Sequence, residues 1–168
     1  MISCEAPSKG DKTQKLIIGH GGASAYAKEN TIESFKKAID FRTDVIEFDV
    51  RRTKDKVLIA YHDEQIQGQS VKNLTYEEIV KIARNQEFEI AMVEEALRYT
   101  KGKIKLDVEL KEEAYEKEIV ELLLKYFKED QFVITSFYDN SLKLIIDSYP
   151  EIKVGLILGI NKPKNLIL

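Results

Sequence analysis

Two carboxylates and a histidine occur close together in residues 45–63, and their spacing is typical of a site that binds a cation. The side chains at the start of this stretch alternate between apolar and polar, which predicts a strand with Glu47 and Asp49 on one face. Cα atoms two residues apart on a strand are separated by about 6.5–7 Å, so both carboxylates can reach one ion. We therefore expect an oxygen-lined cation site on the polar face of this strand.

The histidine of this stretch, His62, is brought to the same place by a hairpin. Residues 53–56 are too few for a parallel crossover, so the next apolar run must return antiparallel to the first strand. If Arg52 pairs with Val57, His62 lies opposite Glu47, give or take a bulge. One end of the hairpin is thus expected to hold a Glu, an Asp and a His.

A later strand with the same alternation supplies further polar groups. Its polar face carries Asp107 and Glu109, and Lys111 directly follows its end, where a lysine could bind phosphate. Glu109 is the third candidate cation ligand beside Glu47 and Asp49. A ligand set made only of oxygen atoms favours Mg²⁺, Ca²⁺ or Mn²⁺ over Zn²⁺, which usually recruits His or Cys.

His20 and His62 are the two histidines of the chain, and the strand arguments place each at a strand end beside the acidic group. His20 follows the apolar run 16–19 and precedes a glycine pair at which the backbone can turn. Imidazole exchanges protons near neutral pH, so one ring can take a proton from an attacking hydroxyl while the other gives one to a leaving alkoxide. With a divalent cation to polarise phosphoryl oxygens, this pair suits cleavage of a phosphodiester.

The chain alternates strands and helices in the manner of an α/β fold with a parallel sheet. Asn30 and Glu33 have the spacing of a capping box, which predicts that the first helix begins there. Inward carboxylates would be costly in an open sheet covered on both faces, but they suit the C-terminal mouth of a barrel. The pattern predicts a TIM-barrel (β/α)8 type that is incomplete, with about five parallel barrel strands plus a small hairpin and helical insertion.

Composition excludes several classes of protein. The net charge is −3 and no basic stripe is present, so we expect no nucleic-acid partner. No apolar run is long enough for a transmembrane segment, and the single cysteine, Cys4, excludes an internal disulfide. Residues 1–15 are predicted to be a flexible leader without a signal peptide, which indicates a cytoplasmic protein. If Cys4 were a lipoprotein cysteine, the protein would instead be lipid-anchored outside the cytoplasm.

Several segments, in the expected order, resemble the glycerophosphodiester phosphodiesterase family. GHGGASAYAKENTIESFKKAI is similar to the family's opening motif, and VIEFDVRRTKDKVLIAYHDE to its Ile-Glu-x-Asp-Val, Thr-x-Asp-Gly and His-Asp signatures. EIAMVEEALRYTKGKIKLDVELK resembles its Pro-Thr-Leu-Glu-Glu segment and the strand that carries Glu and Lys, and VITSF its Ser-Ser-Phe strand. The resemblance covers the chain from about Leu16 to Leu158.

This resemblance implies a metal-dependent hydrolase that converts small-molecule glycerophosphodiesters into glycerol 3-phosphate and an alcohol on a TIM barrel. It implies residues 16–168 as a partial domain of the family, with an insertion at about 51–88. By position it implies the following roles: His20 and His62 as the acid/base pair, Glu47, Asp49 and Glu109 as ligands of one Mg²⁺ or Ca²⁺ (or Mn²⁺), Lys111 as a phosphate contact, and Glu29 as a substrate-binding residue in a loop.

The sequence departs from the family pattern at several positions. The arginine that usually follows the first histidine is Gly21, which removes a bidentate phosphate clamp. Lys28 replaces a proline, Lys56 replaces a turn glycine, and Ala91 and Met92 replace a Pro-Thr pair.

Five barrel strands leave two sheet edges unpaired, so three hypotheses stay open: a fragment, a split enzyme in which a second chain completes the barrel, and a homodimer that completes it. Two other functions stay open: a related lipid phosphodiesterase of the phospholipase D-like type, and a truncated, catalytically inactive binding module.

Overall fold

The computed structural model of the protein describes residues 15–159. The predicted leader, apart from Lys15, and Cys4 lie outside this range. In chain order the elements are β1 (Ile18–His20), α1 (Ile32–Asp40), β2 (Val45–Arg52), β3 (Leu58–Ala60), β4 (Gln65–Ile66), β5 (Gln69–Ser70), α2 (Tyr76–Arg84), α3 (Val93–Thr100), β6 (Lys105–Leu110), α4 (Glu116–Leu124), β7 (Phe132–Ser136), α5 (Asp139–Ser148) and β8 (Val154–Leu156). Over these residues, each helix is too short or too polar to cross a lipid bilayer.

Five parallel strands form the main sheet in the order β1-β2-β6-β7-β8, and β3 joins β2 antiparallel. β1 pairs with the first part of β2, and β3 pairs with the last part of β2. β1 and β3 therefore lie one after the other along the same edge of β2. Between residues 15 and 159, no strand connects β8 back to β1, and the sheet does not close. The predicted α/β class, with five parallel strands and a hairpin, is confirmed.

The two faces of the sheet differ in polarity, as the alternation predicts. One face carries buried apolar side chains that pack against the helices; they include Ile46, Phe48, Val50, Leu106, Val108, Leu110 and Ile134. Each of these side chains is almost fully removed from water, which supplies the main driving force for folding. The opposite face carries Glu47, Asp49, Asp107 and Glu109 and corresponds to the inside of a barrel.

Residues between β2 and α3 form a smaller layer with its own apolar cluster. β3, the short hairpin of β4 and β5, and α2 surround this cluster, whose buried members are Ile59, Ile66, Val71, Leu74, Ile79, Ala83 and Ile90. Thr75 and Glu78 form a capping box at the start of α2, in agreement with the sequence pattern. This layer holds β3 against the edge of β2, immediately beside the polar face.

Two local predictions are wrong. Arg52 pairs with Leu58 rather than Val57, because Thr53 closes a longer turn in which its N–H donates to the Val57 carbonyl (3.0 Å) and its Oγ1 accepts from the Val57 N–H (2.9 Å). As the ladder ends at the pair Val50 and Ala60, His62 does not lie opposite Glu47.

The second correction concerns the start of α1. The capping box there is formed by Thr31 and Ser34, not by Asn30 and Glu33. Asn30 has a φ of +60° and is almost fully buried, so its side chain is directed to another partner.

Candidate active site

Three carboxylates meet at the C-terminal end of β2 and β6. Asp49 and Glu109 are partners across the β2–β6 ladder, and Glu47 lies two residues earlier on β2. One oxygen from each of the three side chains lies within 4.8 Å of the others, and all three residues are buried. The structure therefore brings together the three candidate cation ligands predicted from strand alternation.

His20 adjoins this acidic group from the neighbouring strand. It is the ladder partner of Glu47, and its Nδ1 lies 2.8 Å from Glu47 Oε2. The backbone N–H of Gly21 donates to the same oxygen at 2.9 Å. The His20 side chain is 71% exposed, so the ring bridges the buried carboxylate and the solvent.

His62 approaches from the opposite direction along the same edge of β2. β1 runs toward the middle of β2 from one end and β3 from the other, and the Tyr61 N–H donates to the Asp49 carbonyl at 3.1 Å. His62 lines a narrow cleft together with Glu29 and Asn30, and its Nδ1 lies 2.8 Å from Asp63 Oδ1. Both predicted histidines thus reach the polar end of β2, although by a different register from the one expected.

Asn30 belongs to the site, and the sequence reasoning missed this. Its Nδ2 donates to Asp49 Oδ2 at 2.9 Å, and its Oδ1 accepts from the Asp49 N–H at 3.0 Å. The positive φ of Asn30, which asparagine tolerates better than most residues, turns its side chain toward the sheet. A signal was present, since threonine is also a preferred N-cap residue and a helix capped by Thr31 leaves Asn30 outside it.

Lys111 lies over two of the three carboxylates. Its Nζ is 2.8 Å from Glu109 Oε1 and 3.4 Å from Asp49 Oδ1, and its side chain is 13% exposed. Burial alone would lower the pKa of Lys111, but the hydrogen bond to Glu109 and the charge of Asp49 outweigh it and raise the pKa above its usual value. The ammonium group is therefore charged at neutral pH.

Two carboxyl groups on this polar face, Glu47 and Asp107, have raised pKa values. Burial, together with the charges of Asp49 and Glu109, raises the pKa of Glu47 to about 7, against the lowering effects of the Gly21 N–H and His20. Burial also raises the pKa of Asp107, which accepts a hydrogen bond from Thr135 Oγ1 at 2.7 Å on the same face. Closely spaced carboxylates that resist ionisation are a common feature of cation and catalytic sites.

The donor set fits an oxygen-loving divalent cation. Glu47 Oε1 and Asp49 Oδ1 are buried and make no hydrogen bond among the described residues, although Asp49 Oδ1 has its longer ion pair with Lys111. Buried carboxylate oxygens without donors are costly, and a cation would satisfy them. His20 and the Gly21 N–H contact the other oxygen of Glu47, Oε2, so Oε1 is the oxygen without a hydrogen bond.

Gly21 is fixed as glycine by its surroundings. Its φ is +58°, and a Cβ at this position would lie 2.7 Å from the Cβ of Glu29. The loop from β1 to α1 is thus packed too closely for a side chain at position 21. This departure from the family pattern is built into the backbone of the loop.

The sequence has clear relatives among known proteins. The sequence model described as "Glycerophosphoryl diester phosphodiesterase family" matches residues 20–165. A glycerophosphodiester phosphodiesterase of Caldanaerobacter subterraneus is 30% identical over 173 residues, which cover 91% of this chain and 71% of that protein. The Bacillus subtilis protein YhdW is 32% identical over 157 residues, which cover 84% of this chain and 65% of YhdW.

Solved structures show the same architecture. A glycerophosphodiester phosphodiesterase from Thermotoga maritima aligns with a TM-score of 0.74 at 25% identity, over 88% of this chain and 64% of that one. A phosphodiesterase from Oleispira antarctica, solved in complex with the product sn-glycerol-3-phosphate, aligns with a TM-score of 0.74 at 24% identity, over 89% and 68%. The sheet is therefore of the TIM-barrel type.

The chain spans about two thirds of the length of these relatives, between 65% and 71% for the two compared by sequence. Within that span, the family match begins at His20 and includes each of the predicted site residues. By sequence match and by fold, the chain belongs to the glycerophosphoryl diester phosphodiesterase family.

Proposed function

We propose that the protein hydrolyses glycerophosphodiesters to glycerol 3-phosphate and an alcohol, with His20 and His62 as the acid/base pair. One observation carries this proposal. Each of the two histidines has its Nδ1 2.8 Å from a carboxylate, Glu47 for His20 and Asp63 for His62. A carboxylate at Nδ1 fixes the orientation of the ring and leaves Nε2 as the nitrogen that exchanges a proton with substrate.

The reaction requires one general base and one general acid. In hydrolysis the oxygen of water forms a bond to phosphorus and the P–O bond to the alcohol breaks, so one proton must leave the attacking water and one must reach the leaving alkoxide. The two imidazoles reach the middle of β2 from opposite ends, one at the end of β1 and the other after β3. One can therefore accept the proton of the attacking oxygen and the other can donate a proton to the leaving oxygen. Both side chains are partly exposed, 71% for His20 and 47% for His62, so each ring is accessible to a phosphodiester bound at the acidic end of β2.

Glu47, Asp49 and Glu109 would hold one divalent cation, Mg²⁺, Ca²⁺ or Mn²⁺. Bound there, the cation would polarise a phosphoryl oxygen and offset the negative charge of the transition state. Asn30 orients Asp49 through two hydrogen bonds, and the Gly21 N–H and His20 orient Glu47. Lys111, charged and next to two of these ligands, would bind the phosphate, and Glu29 would contact the substrate from the loop beside His62.

We also propose that residues 16–168 act as one partial family domain with an insertion at about 51–88. The sheet of residues 15–159 is open between β1 and β8, and a homodimer or a second chain would pair with these two edges. Among residues 15–159, Asp107, Val133 and Thr135 on the polar face of β6 and β7 are only half-buried, which leaves room for a partner on that side.

The test is the release of glycerol 3-phosphate from glycerophosphocholine, with each divalent cation in turn and with a chelator. We expect cation-dependent release by the wild type and a loss of about 100- to 10,000-fold in His62→Ala and in His20→Ala. Tyr61→Phe, next to His62, is the matched control and should keep activity. Absence of release with every cation would refute the proposal, and faster turnover of a lysolipid would favour the lipid phosphodiesterase instead.

A further inference from the structure

Arg51 is a buried charged residue with no part in the proposed chemistry. It follows Asp49 by two positions on β2, and its side chain is only 9% exposed. Its Nη1 lies 3.9 Å from Glu112 Oε2, too far for a hydrogen bond, while its Nε donates to the backbone carbonyl of His62 at 2.9 Å. Burying a guanidinium is costly unless it makes a hydrogen bond. Among the described residues, the short hydrogen bond of this guanidinium is the one to the His62 carbonyl, which indicates that Arg51 is present to bind that carbonyl.

The backbone of His62 has little other support. The ladder between β2 and β3 ends at Val50 and Ala60, and the Tyr61 N–H makes one further bond to the Asp49 carbonyl. His62 lies past both of these in the described chain. A loop residue that must place a catalytic imidazole to within a fraction of an ångström needs an anchor. Small displacements of catalytic groups greatly reduce the reaction rate.

We propose that Arg51 is a positioning residue that holds the His62 backbone, and through it the imidazole, at the acidic end of β2. Charge-assisted hydrogen bonds are stronger than neutral ones, and the guanidinium donates without a proton that can be lost. Glu112, on the segment after β6, accepts from the Arg52 N–H at 2.7 Å and thereby lies beside the guanidinium. Arg51 thus connects β2, the segment after β6 and the His62 loop.

The variants Arg51→Gln and Arg51→Met form a matched pair. Glutamine places a nitrogen donor, Nε2, at the same number of bonds from the backbone as the Nε of arginine. Methionine places a methyl group there. The two variants therefore differ from each other mainly in whether a donor faces the His62 carbonyl. Arg52→Met is the control, because Arg52 lies next in sequence but its side chain binds Glu118 at 3.2 Å.

The inference rests on the proposed function for its kinetic readout. We expect Arg51→Met to lower kcat by up to about 100-fold with little change in KM, and Arg51→Gln to recover most of that loss. In a His62→Ala background, Arg51→Met should cost nothing further, since the group it positions is gone. Equal loss in Arg51→Met and Arg51→Gln, or full additivity with His62→Ala, would overturn the inference.

A second readout does not require activity. The chain has two histidines, so its imidazole NMR signals are assigned directly with His62→Ala. Arg51→Met should shift or broaden the His62 signal and leave that of His20 in place, while Arg51→Gln and Arg52→Met leave both in place. If the wild type does not hydrolyse glycerophosphodiesters, this comparison alone decides the inference, and an unmoved His62 signal in Arg51→Met refutes it.

If Arg51→Met does not fold, Arg51→Lys replaces it. Lysine keeps the charge beside Glu112 but moves its donor one bond farther out, whereas glutamine keeps the donor position and loses the charge. Positioning predicts that Arg51→Gln preserves the His62 signal and kcat better than Arg51→Lys. The reverse order would assign Arg51 to charge balance and contradict the proposal.

Discussion

Asn30 and Asp49 are joined by two hydrogen bonds that run in opposite directions. The Asn30 amide donates to the Asp49 carboxylate (2.9 Å), and its carbonyl accepts from the Asp49 backbone N–H (3.0 Å). One side chain therefore fixes both the strand backbone and the carboxylate at the same residue. It also connects the loop before α1 to the acidic group.

Removal of this amide should weaken cation binding. In Asn30→Gly the positive φ is tolerated, so the variant reports the lost hydrogen bonds rather than backbone strain. We expect divalent-cation affinity to fall about 10- to 100-fold, as is usual when a group that orients a metal ligand is removed. Calorimetric titration with Mg²⁺, Ca²⁺ and Mn²⁺ measures this, with Asn85→Gly at the end of α2 as the control. Unchanged affinity would show that Asp49 needs no support from Asn30.

The pKa of Glu47 predicts a coupling between pH and cation binding. Because burial raises this pKa to about 7, the cation-free folded protein holds a proton that the unfolded chain, with its ordinary value of 4.5, releases. The corresponding stability is fully present below the unfolded value and is lost as pH rises through about 7. A cation binds the ionised form, so it should raise the melting temperature more at about pH 8 than at about pH 6.

Glu47→Gln provides the check on that coupling. It keeps the shape of the side chain without the charge, so the cation-free variant should be more stable than the wild type at about pH 8, by about 1–3 kcal/mol. The variant should also lose the cation response. A cation-free Glu47→Gln protein that melts below the wild type at high pH would contradict the proposed cause of the shift.

Much of the site follows from short-range rules. Alternation along β2 and β6 places Glu47, Asp49 and Glu109 on one face, and the parallel unit formed by β1, α1 and β2 brings His20 to Glu47. The shared face of the carboxylates does not depend on register, because the side-chain period of a strand is two. The sequence also placed His20 at the end of a strand parallel to β2, and the pairing of His20 with Glu47 is given by the structure.

What could not be predicted depends on contacts distant in sequence. The turn after β2 is one residue longer than expected because Thr53 bonds to Val57 twice, and a Thr-Lys-Asp-Lys segment does not distinguish the two turn lengths. The role of Asn30 depends on Asp49, a partner 19 residues away. Overlapping capping patterns in Asn30-Thr31 can be separated only when that partner is in place.

Lys56 gives a prediction of increased stability. Its φ is +68° in the turn between β2 and β3, a conformation that costs an L-residue roughly 1–2 kcal/mol. Glycine removes this strain but loses about 0.5–1 kcal/mol of backbone entropy on folding. Lys56→Gly should therefore raise the free energy of unfolding by about 0.5–1 kcal/mol, measured by urea denaturation. Lys54→Gly, in the same turn, should lower the free energy of unfolding. If both variants were more stable than the wild type, the loss of a positive charge rather than the relief of backbone strain would be the cause.

Gly21 gives the opposite prediction. Gly21→Ala must adopt a positive φ and also places its Cβ 2.7 Å from the Cβ of Glu29, whereas Gly102→Ala has a positive φ with nothing within 4 Å of its Cβ. Both variants should be destabilised, by roughly 1–2 kcal/mol for the backbone alone, and Gly21→Ala should lose more. The difference between the denaturation curves of the two variants gives the cost of the contact with Glu29, because the backbone strain is common to both. Equal losses would mean that the loop moves aside at no cost, and an arginine at position 21 would then be tolerated.

Lys111 neutralises the carboxylates that would otherwise bind the cation, so its removal should affect stability and cation affinity in opposite directions. Lys111→Met leaves Glu109 and Asp49 buried without their partner, and loss of one member of a buried ion pair costs about 3–5 kcal/mol. The raised pKa of Lys111 keeps its charge, and hence this stability, up to alkaline pH, so the loss should be present in full at about pH 8, where urea denaturation measures it.

The same substitution should tighten the binding of a divalent cation, since three carboxylates then face it without a competing ammonium group. Added Mn²⁺ should raise the melting temperature of Lys111→Met by more than that of the wild type, while substrate KM rises because the phosphate loses a cationic contact. Lys105→Met, at the exposed start of β6, should change the free energy of unfolding by less than about 0.5 kcal/mol. It should leave the cation affinity and the substrate KM unaltered. If Mn²⁺ stabilised Lys111→Met less than the wild type, Lys111 would be orienting the ligands rather than competing with the ion.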